Sequence, residues 1–226
     1  MSKTLCRIAN LTPGELRSRI AGATGHSQDI VSAVAIAASA TFEEFVNNSR
    51  KALKWLFYSD LRGQQAFPVT SDEPYIMQGA LEGGEGTPSP MLSITGLSLK
   101  ELEPHIAKTN KHLPSISQLF VSLNNRPEAF VVTGPSKALF GLVTAPEENQ
   151  GLAQSKVPFS QRKPFFSIRF LVVGVPYHSE YLAGATETLV EEDLEGEELW
   201  SAKDIKIPVY NTEDGAFNGF LLIYVD

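Results

Sequence analysis

The chain has almost no cysteine: Cys6 stands alone in 226 residues. No disulfide can form within it, so a reducing, cytoplasmic setting is the expectation. It has no cluster of positive charge either. With 19 Lys and Arg against 26 Asp and Glu, the formal net charge is −7, which argues against nucleic acid as the main partner. No apolar run approaches the ~18 residues of a membrane-spanning helix. The first twenty residues carry Lys3, Arg7, Glu15, Arg17 and Arg19 without an apolar block, so no signal peptide is expected there. Histidine is scarce as well: His26, His105, His112 and His178, even with Cys6, show no metal-ligand spacing, and no metal is expected. What remains, 42% hydrophobic and 20% charged, is the composition of an ordinary globular protein of roughly one to two domains.

The stretch that carries most information is Gly25-His-Ser-Gln-Asp29. Ile20 to Thr24 before it reads as a short buried strand, and Ile30 to Ala38 after it is apolar on every face, as a core helix would be. A serine on a sharp turn between a strand and a buried helix is the nucleophile-elbow arrangement. Such a turn lifts the hydroxyl above a helix N-terminus, where amides without helical partners can receive an oxyanion. The usual elbow has glycine two residues on either side of the serine. Gly25 satisfies this and Asp29 does not. The same residues also fit a simpler reading, in which Ser27 is a helix cap.

Elsewhere the chain alternates helices and strands. Residues 2 to 10 read as an amphipathic helix start, and Thr12 with Pro13 opens another. Thr41 and Glu44 form a capping box at the head of a long helix, with Phe45, Leu53, Leu56 and Phe57 as its expected inner side. Residues 68 to 90, dense in proline and glycine, read as one long loop. Met91 to Thr95 is an expected strand, and Ser98 caps a helix to about Lys108. Gln118 to Leu123 and Ala129 to Thr133 are strands, and Ser136 to Leu142 is a helix. That succession is the ferredoxin-like order without its last strand. Phe165 to Val173 either supplies the missing strand or returns to the main sheet. His178, in Val175-Pro-Tyr-His-Ser179, stands after an apolar strand (Phe170 to Val173) and before a helix near Ser179. That is where active sites of open α/β sheets collect, although a capping or packing histidine fits as well. Glu191 to Glu198 reads as a solvated helix end, Lys206 to Tyr210 as a short buried strand, and Phe217 to Val225 as a closing apolar run.

Gly25-His-Ser-Gln28 followed by Val-Ala-Ile-Ala-Ala, with Pro176-Tyr-His178-Ser179, resembles the acetyltransferase (starter-unit acyl-carrier-protein transacylase) domain of the fungal-type fatty acid synthase beta subunit. Leu11 to Arg17, Thr87 to Ser93, Val131 to Pro135, Val157 to Lys163 and Asp204 to Tyr210 extend the likeness over roughly residues 3 to 215. The resemblance implies an α/β acyltransferase fold: a hydrolase-like parallel-sheet core with an inserted ferredoxin-like α+β subdomain, truncated at both ends. Residues 1–90 and 165–226 would form the main subdomain, and 91–164 the insertion. It further implies acyl transfer from coenzyme A, through an acyl-serine, to the phosphopantetheine of an acyl carrier protein. Ser27 would be the nucleophile, His178 the base and then the acid, and the Gln28 amide half of the oxyanion hole. Acetyl-CoA would be a substrate, and no bound cofactor is implied. Malonyl-transferring relatives place an arginine in the long helix to pair with the free carboxylate. The corresponding position lies near Ser59, which makes Ser59 a substrate-binding candidate and Arg62 a structural residue. Asn125 matches an asparagine after the family's insertion strand. Partners would be acyl-CoA, the carrier protein and other synthase subunits.

The departures from the family define the alternative. Asp29 stands where the family has glycine and is expected to crowd the turn. The N-terminal strand and Gly-Gln loop that complete the oxyanion hole have no counterpart here, and the closing residues diverge. The alternative is a catalytically impaired fragment acting at most in binding or assembly. A serine hydrolase differs from both only in letting water reach the acyl-serine.

Overall fold

The structure, a computed structural model, describes residues 8–68, 72–144 and 167–210. In chain order its elements are α1 (Pro13–Ser18), β1 (Ala23–Thr24), α2 (Asp29–Ala37), α3 (Phe42–Ala66), α4 (Pro74–Gly83) and β2 (Met91–Thr95). There follow α5 (Leu99–Asn110), β3 (Phe120–Arg126), β4 (Ala129–Thr133), α6 (Ser136–Thr144), β5 (Ser167–Phe170), α7 (Ala185–Thr188) and β6 (Val209–Tyr210). Single 3-10 turns lie at Ser115–Ser117 and Glu180–Leu182, and a π-turn at Leu189–Asp193. The helix expected at residues 2 to 10 falls mostly outside the described residues, as do Val157 to Lys163 and the closing run Phe217 to Val225.

The chain divides into two compact units. One comprises Met1–Arg62 and Ala185–Asp226, the other Gly63–Gly184. The expected insertion covered 91–164, so the second unit extends beyond it at both ends.

In the first unit β1 pairs parallel with β6, Ala23 opposite Val209 and Thr24 opposite Tyr210. The N–H of Ala23 donates to the Pro208 carbonyl at 2.9 Å, which continues the pairing by one residue. Both strands are shorter than expected, because hydrogen-bonded pairing spans only these residues. Helix α2 packs Ala33, Val34 and Ala37 with Val209, and Val31 and Ala35 with Ala52, Trp55, Leu189, Leu194 and Leu199. It is buried around most of its circumference, which is why its sequence shows no polar face.

Helix α3 opens on the expected capping box: Glu44 N–H donates to Thr41 Oγ1 at 3.1 Å, and Glu44 Oε2 accepts from the amides of Ala40 and Thr41. Its buried side is only partly the expected one: Leu56 packs against the core as expected. Asn48, Ala52 and Trp55 point inward, whereas Leu53 and Phe57 are 65% and 64% exposed. Side-chain size alone favoured Leu53 and Phe57, which face away from that core.

The second unit is a four-stranded antiparallel sheet in the order β3-β4-β2-β5. With α5 and α6 as its crossovers this is the complete ferredoxin-like βαββαβ arrangement. Residues Ser167–Phe170 supply the fourth strand, pairing Leu92 with Phe170 and Thr95 with Ser167. They therefore belong to this sheet and not to a returning main sheet. Leu92, Ile94, Phe130 and Val132 form its core with Leu102 and Ile106 from α5 and Leu139, Leu142 and Val143 from α6. A bulge at Ser122 and another at Asn125 interrupt the β3–β4 register.

The proline- and glycine-rich stretch 68–90 contains a helix. Pro74 sits in the first turn of α4, where its missing N–H costs nothing, and Gly84 ends the helix in the left-handed conformation at φ 84°. The residues that suggested a loop are the helix's start and stop signals.

Candidate functional site

The turn between β1 and α2 has the expected shape. Ser27 has φ 53°, the left-handed region that non-glycine residues rarely occupy. The helical bonds begin at once: Asp29 N–H donates to His26 O at 3.1 Å, Ile30 to Ser27 O at 3.1 Å and Val31 to Gln28 O at 3.2 Å. The cap position falls on Gln28, whose side chain makes no capping bond, so Ser27 is not the ordinary helix cap of the simpler reading. Among the described residues, the Gln28 amide donates to no acceptor. It is the amide directly after the serine, at the positive end of α2.

Gly25 shows how tight the turn is. A Cβ at this position would lie 2.2 Å from the carbonyl carbon of Asp29 and 2.5 Å from the Ile30 nitrogen. The strand thus runs directly against the first backbone turn of the helix. Asp29 does not crowd the turn as expected, because its side chain is exposed and it forms the first residue of α2. A carboxylate there suits the helix dipole. The steric demand falls on the glycine before the serine.

The far end of α2 is fixed by a buried polar chain. Ser39 Oγ donates to Ala35 O at 2.6 Å, Asn48 Nδ2 donates to Ala38 O at 3.2 Å and to Ser39 Oγ at 3.0 Å, and Trp200 Nε1 donates to Asn48 Oδ1 at 3.0 Å. This network locks α2 against α3. Sequence reasoning missed it; the signal was an asparagine on the small-residue face of α3.

His178 belongs to the second unit and also has a positive φ, 58°. It does not end a strand, since β5 stops at Phe170. It lies on an irregular turn just before the 3-10 turn Glu180–Leu182, with Ser179 in the cap position. Buried Val175 precedes it, and Tyr177 N–H closes back onto the Val175 carbonyl at 2.9 Å.

Ser59 is half-buried on α3 in the first unit, and Asn125 is exposed at a bulge of β3 in the second. Arg62, one turn beyond Ser59, is fully engaged. Its Nε and Nη2 donate to Asp193 Oδ2 and Oδ1 at 2.8 and 3.1 Å, and Nη2 also reaches Glu192 Oε2 at 2.7 Å. These carboxylates hold its guanidinium above the usual arginine range. The acidic run around Gly196 is accordingly not only a solvated end. Glu192 and Asp193 hold Arg62, Glu197 pairs with Lys54 at 3.1 Å, and Leu194 and Leu199 are buried. Among the described residues no group of His, Cys, Asp and Glu side chains could hold a metal, and no helix is long and apolar enough to cross a membrane.

The fold is that of acyl-carrier-protein acyltransferases. An acyl carrier protein S-malonyltransferase from Vibrio cholerae superposes with a TM-score of 0.56 at 19% identity, covering 96% of this chain and 54% of that one. A Burkholderia pseudomallei S-malonyltransferase gives 0.52 at 22% identity, covering 88% and 50%. The family profile described as starter unit:ACP transacylase in aflatoxin biosynthesis matches residues 7–164, and the chain belongs to that family. It is 44% identical over 213 residues to the fatty acid synthase subunit beta of Saccharomyces cerevisiae, covering 93% of this chain and 10% of that protein. The corresponding subunit of Schizosaccharomyces pombe is 44% identical over 210 residues, covering 92% and 10%. The chain thus spans about a tenth of the length of these relatives.

Proposed function

We propose that the chain transfers an acetyl or other short uncharged acyl group from coenzyme A, through Ser27, to the phosphopantetheine thiol of an acyl carrier protein in fatty acid biosynthesis. The observation that carries this reading is the left-handed Ser27 at the head of α2, followed by the Gln28 amide, which donates to no acceptor among the described residues. Ser27 Oγ adds to the thioester carbonyl while His178 accepts its proton, and the Gln28 amide donates to the resulting oxyanion. The C–S bond then breaks, and His178 returns the proton to the departing coenzyme A thiolate. In the second half the carrier's thiol attacks the acyl-serine by the same route in reverse, and Ser27 regains its proton. The chemistry calls on no bound cofactor.

The choice of an uncharged acyl group is supported by Arg62. Two carboxylates already neutralise it, so the long helix offers no uncommitted guanidinium near Ser59 to a substrate carboxylate. Ser59 and Asn125 are proposed as substrate-side residues. The setting proposed is the cytoplasm, with other synthase subunits as partners.

Intact-mass spectrometry after mixing the chain with acetyl-CoA tests the reading, beside malonyl-CoA and a Ser27→Ala variant. An acetyl adduct is expected on the parent and absent from Ser27→Ala. An adduct that persists in Ser27→Ala, or a stronger adduct from malonyl-CoA, overturns it.

A further inference from the structure

We infer that Tyr181 is a positioning residue for His178, fixing the strained turn that carries the histidine so that its ring keeps one orientation. The inference rests on the proposed role of His178 as the proton-transfer group. A non-glycine residue at φ 58° persists only where its surroundings over-determine it. The hydrogen bonds within this turn are short in range: Tyr177 N–H to Val175 O, Ser179 Oγ to Pro176 O, and Leu182 N–H to Ser179 O. They shape the loop from within.

Two contacts tie it to the rest of the unit, one on each side of His178. Upstream, Val175 packs onto α3 where Gly63 leaves room; a Cβ at Gly63 would lie 2.7 Å from Val175 Cγ1. Downstream, the Tyr181 hydroxyl donates to the Gln118 carbonyl at 2.6 Å. Its ring meets Phe67 edge-on at 5.2 Å between centroids and Phe120 at 6.0 Å. The end of α3, the start of β3 and the segment before it therefore converge on one side chain.

The anchor point is rigid. Gln118 Nε2 donates to the carbonyls of Asn110, Leu113 and Pro114 at 3.1, 2.9 and 3.2 Å, which locks the corner between α5 and β3. Burial raises the phenol's pKa, so it stays a donor. A phenylalanine would fill the same space between the rings. The hydroxyl's bond to Gln118 O is what it would lose, and with it that hold on the turn's distance from the corner.

Tyr181→Phe removes the hydroxyl bond and keeps the packing. The rate of Ser27 acylation by acetyl-CoA is expected to fall about tenfold, with KM unchanged within about twofold, since a displaced base slows the chemical step and not binding. In a His178→Ala background the same change is expected to cost nothing further, because its effect passes through the imidazole. Parental rates in Tyr181→Phe, with His178→Ala slowed about a hundredfold or more, overturn the inference and leave the base reading standing. An equal loss in both backgrounds overturns it too, as a general structural effect. Parental rates in His178→Ala refute the base reading instead. The ring resonance of His178, followed by NMR with isotope-labelled histidine, decides independently of turnover. A shift toward the position of free histidine in Tyr181→Phe supports the inference, and an unmoved resonance refutes it.

Discussion

Gly25→Ala adds one methyl group at the most constrained point of the Ser27 turn. The new carbon would lie 2.2 Å from Asp29 C, 2.3 Å from Asp29 O and 2.5 Å from Ile30 N. Non-bonded carbons rest at about 3.5–4.0 Å, so the shortfall is more than about 1 Å. All three obstructing atoms are backbone of the first turn of α2, and no rotamer change can move them aside. Either the strand or the helix must shift, and the far end of α2 is held by Ser39, Asn48 and Trp200. Overpacking of this kind typically costs about 1–3 kcal/mol, and a displacement of about 1 Å at a reacting group costs about a hundredfold in rate. Urea denaturation is therefore expected to show a loss at the upper end of that range, with acylation of Ser27 falling about a hundredfold. Gly141→Ala is the matched control. Nothing lies within 4 Å of its added methyl group, and in the middle of α6 alanine is favoured over glycine by about 0.5–1 kcal/mol. The same chemical change should thus destabilise at one glycine and stabilise at the other. Equal denaturation midpoints for Gly25→Ala and the parent would refute the close approach of strand and helix.

Arg62→Ala should loosen the π-turn, because Asp193, with its side chain only 10% exposed, loses the guanidinium that pairs it. Amide hydrogen exchange across Leu189–Leu194 is expected to rise about tenfold, and Arg62→Lys should restore only part of the protection, having no fork to span both oxygens of Asp193. Glu44 is held below the usual carboxylate range by the amides of Ala40 and Thr41. Its contribution is present above the unfolded pKa and disappears as pH falls through the folded value. Glu44→Gln should therefore lower stability at neutral pH, and its difference from the parent should shrink below about pH 4 in denaturation curves taken across the acid range.

Local chemistry was legible wherever it was self-contained. The strands Met91–Thr95 and Ala129–Thr133 stand where the apolar runs end, and the Thr41 and Ser98 capping boxes are both formed. The turn at Ser27 could be read because a glycine, a serine and an all-apolar helix follow one another within a few residues. Features that depend on partners far along the chain were not legible. Nothing near Asn48 announces Trp200, and nothing near Arg62 announces Asp193. Leu53 and Phe57 look like core residues until Ala52 and Trp55 are seen to face it. The place of Ser167–Phe170 was ambiguous for the same reason: an apolar strand does not say which sheet it completes, and only its pairing with Met91–Thr95 settles it.

That pairing also closes the sheet on its own two ends. The chain enters it on β2, and its last strand, β5, lies next to β2 in antiparallel register, with Leu92 opposite Phe170. Entrance and exit therefore stand about one strand spacing apart, ~5 Å, a gap that a single residue spans. The strand order by itself thus returns the chain to within a residue's reach of where it entered, so the sheet's own pairing, and not a long connection, brings its two ends together.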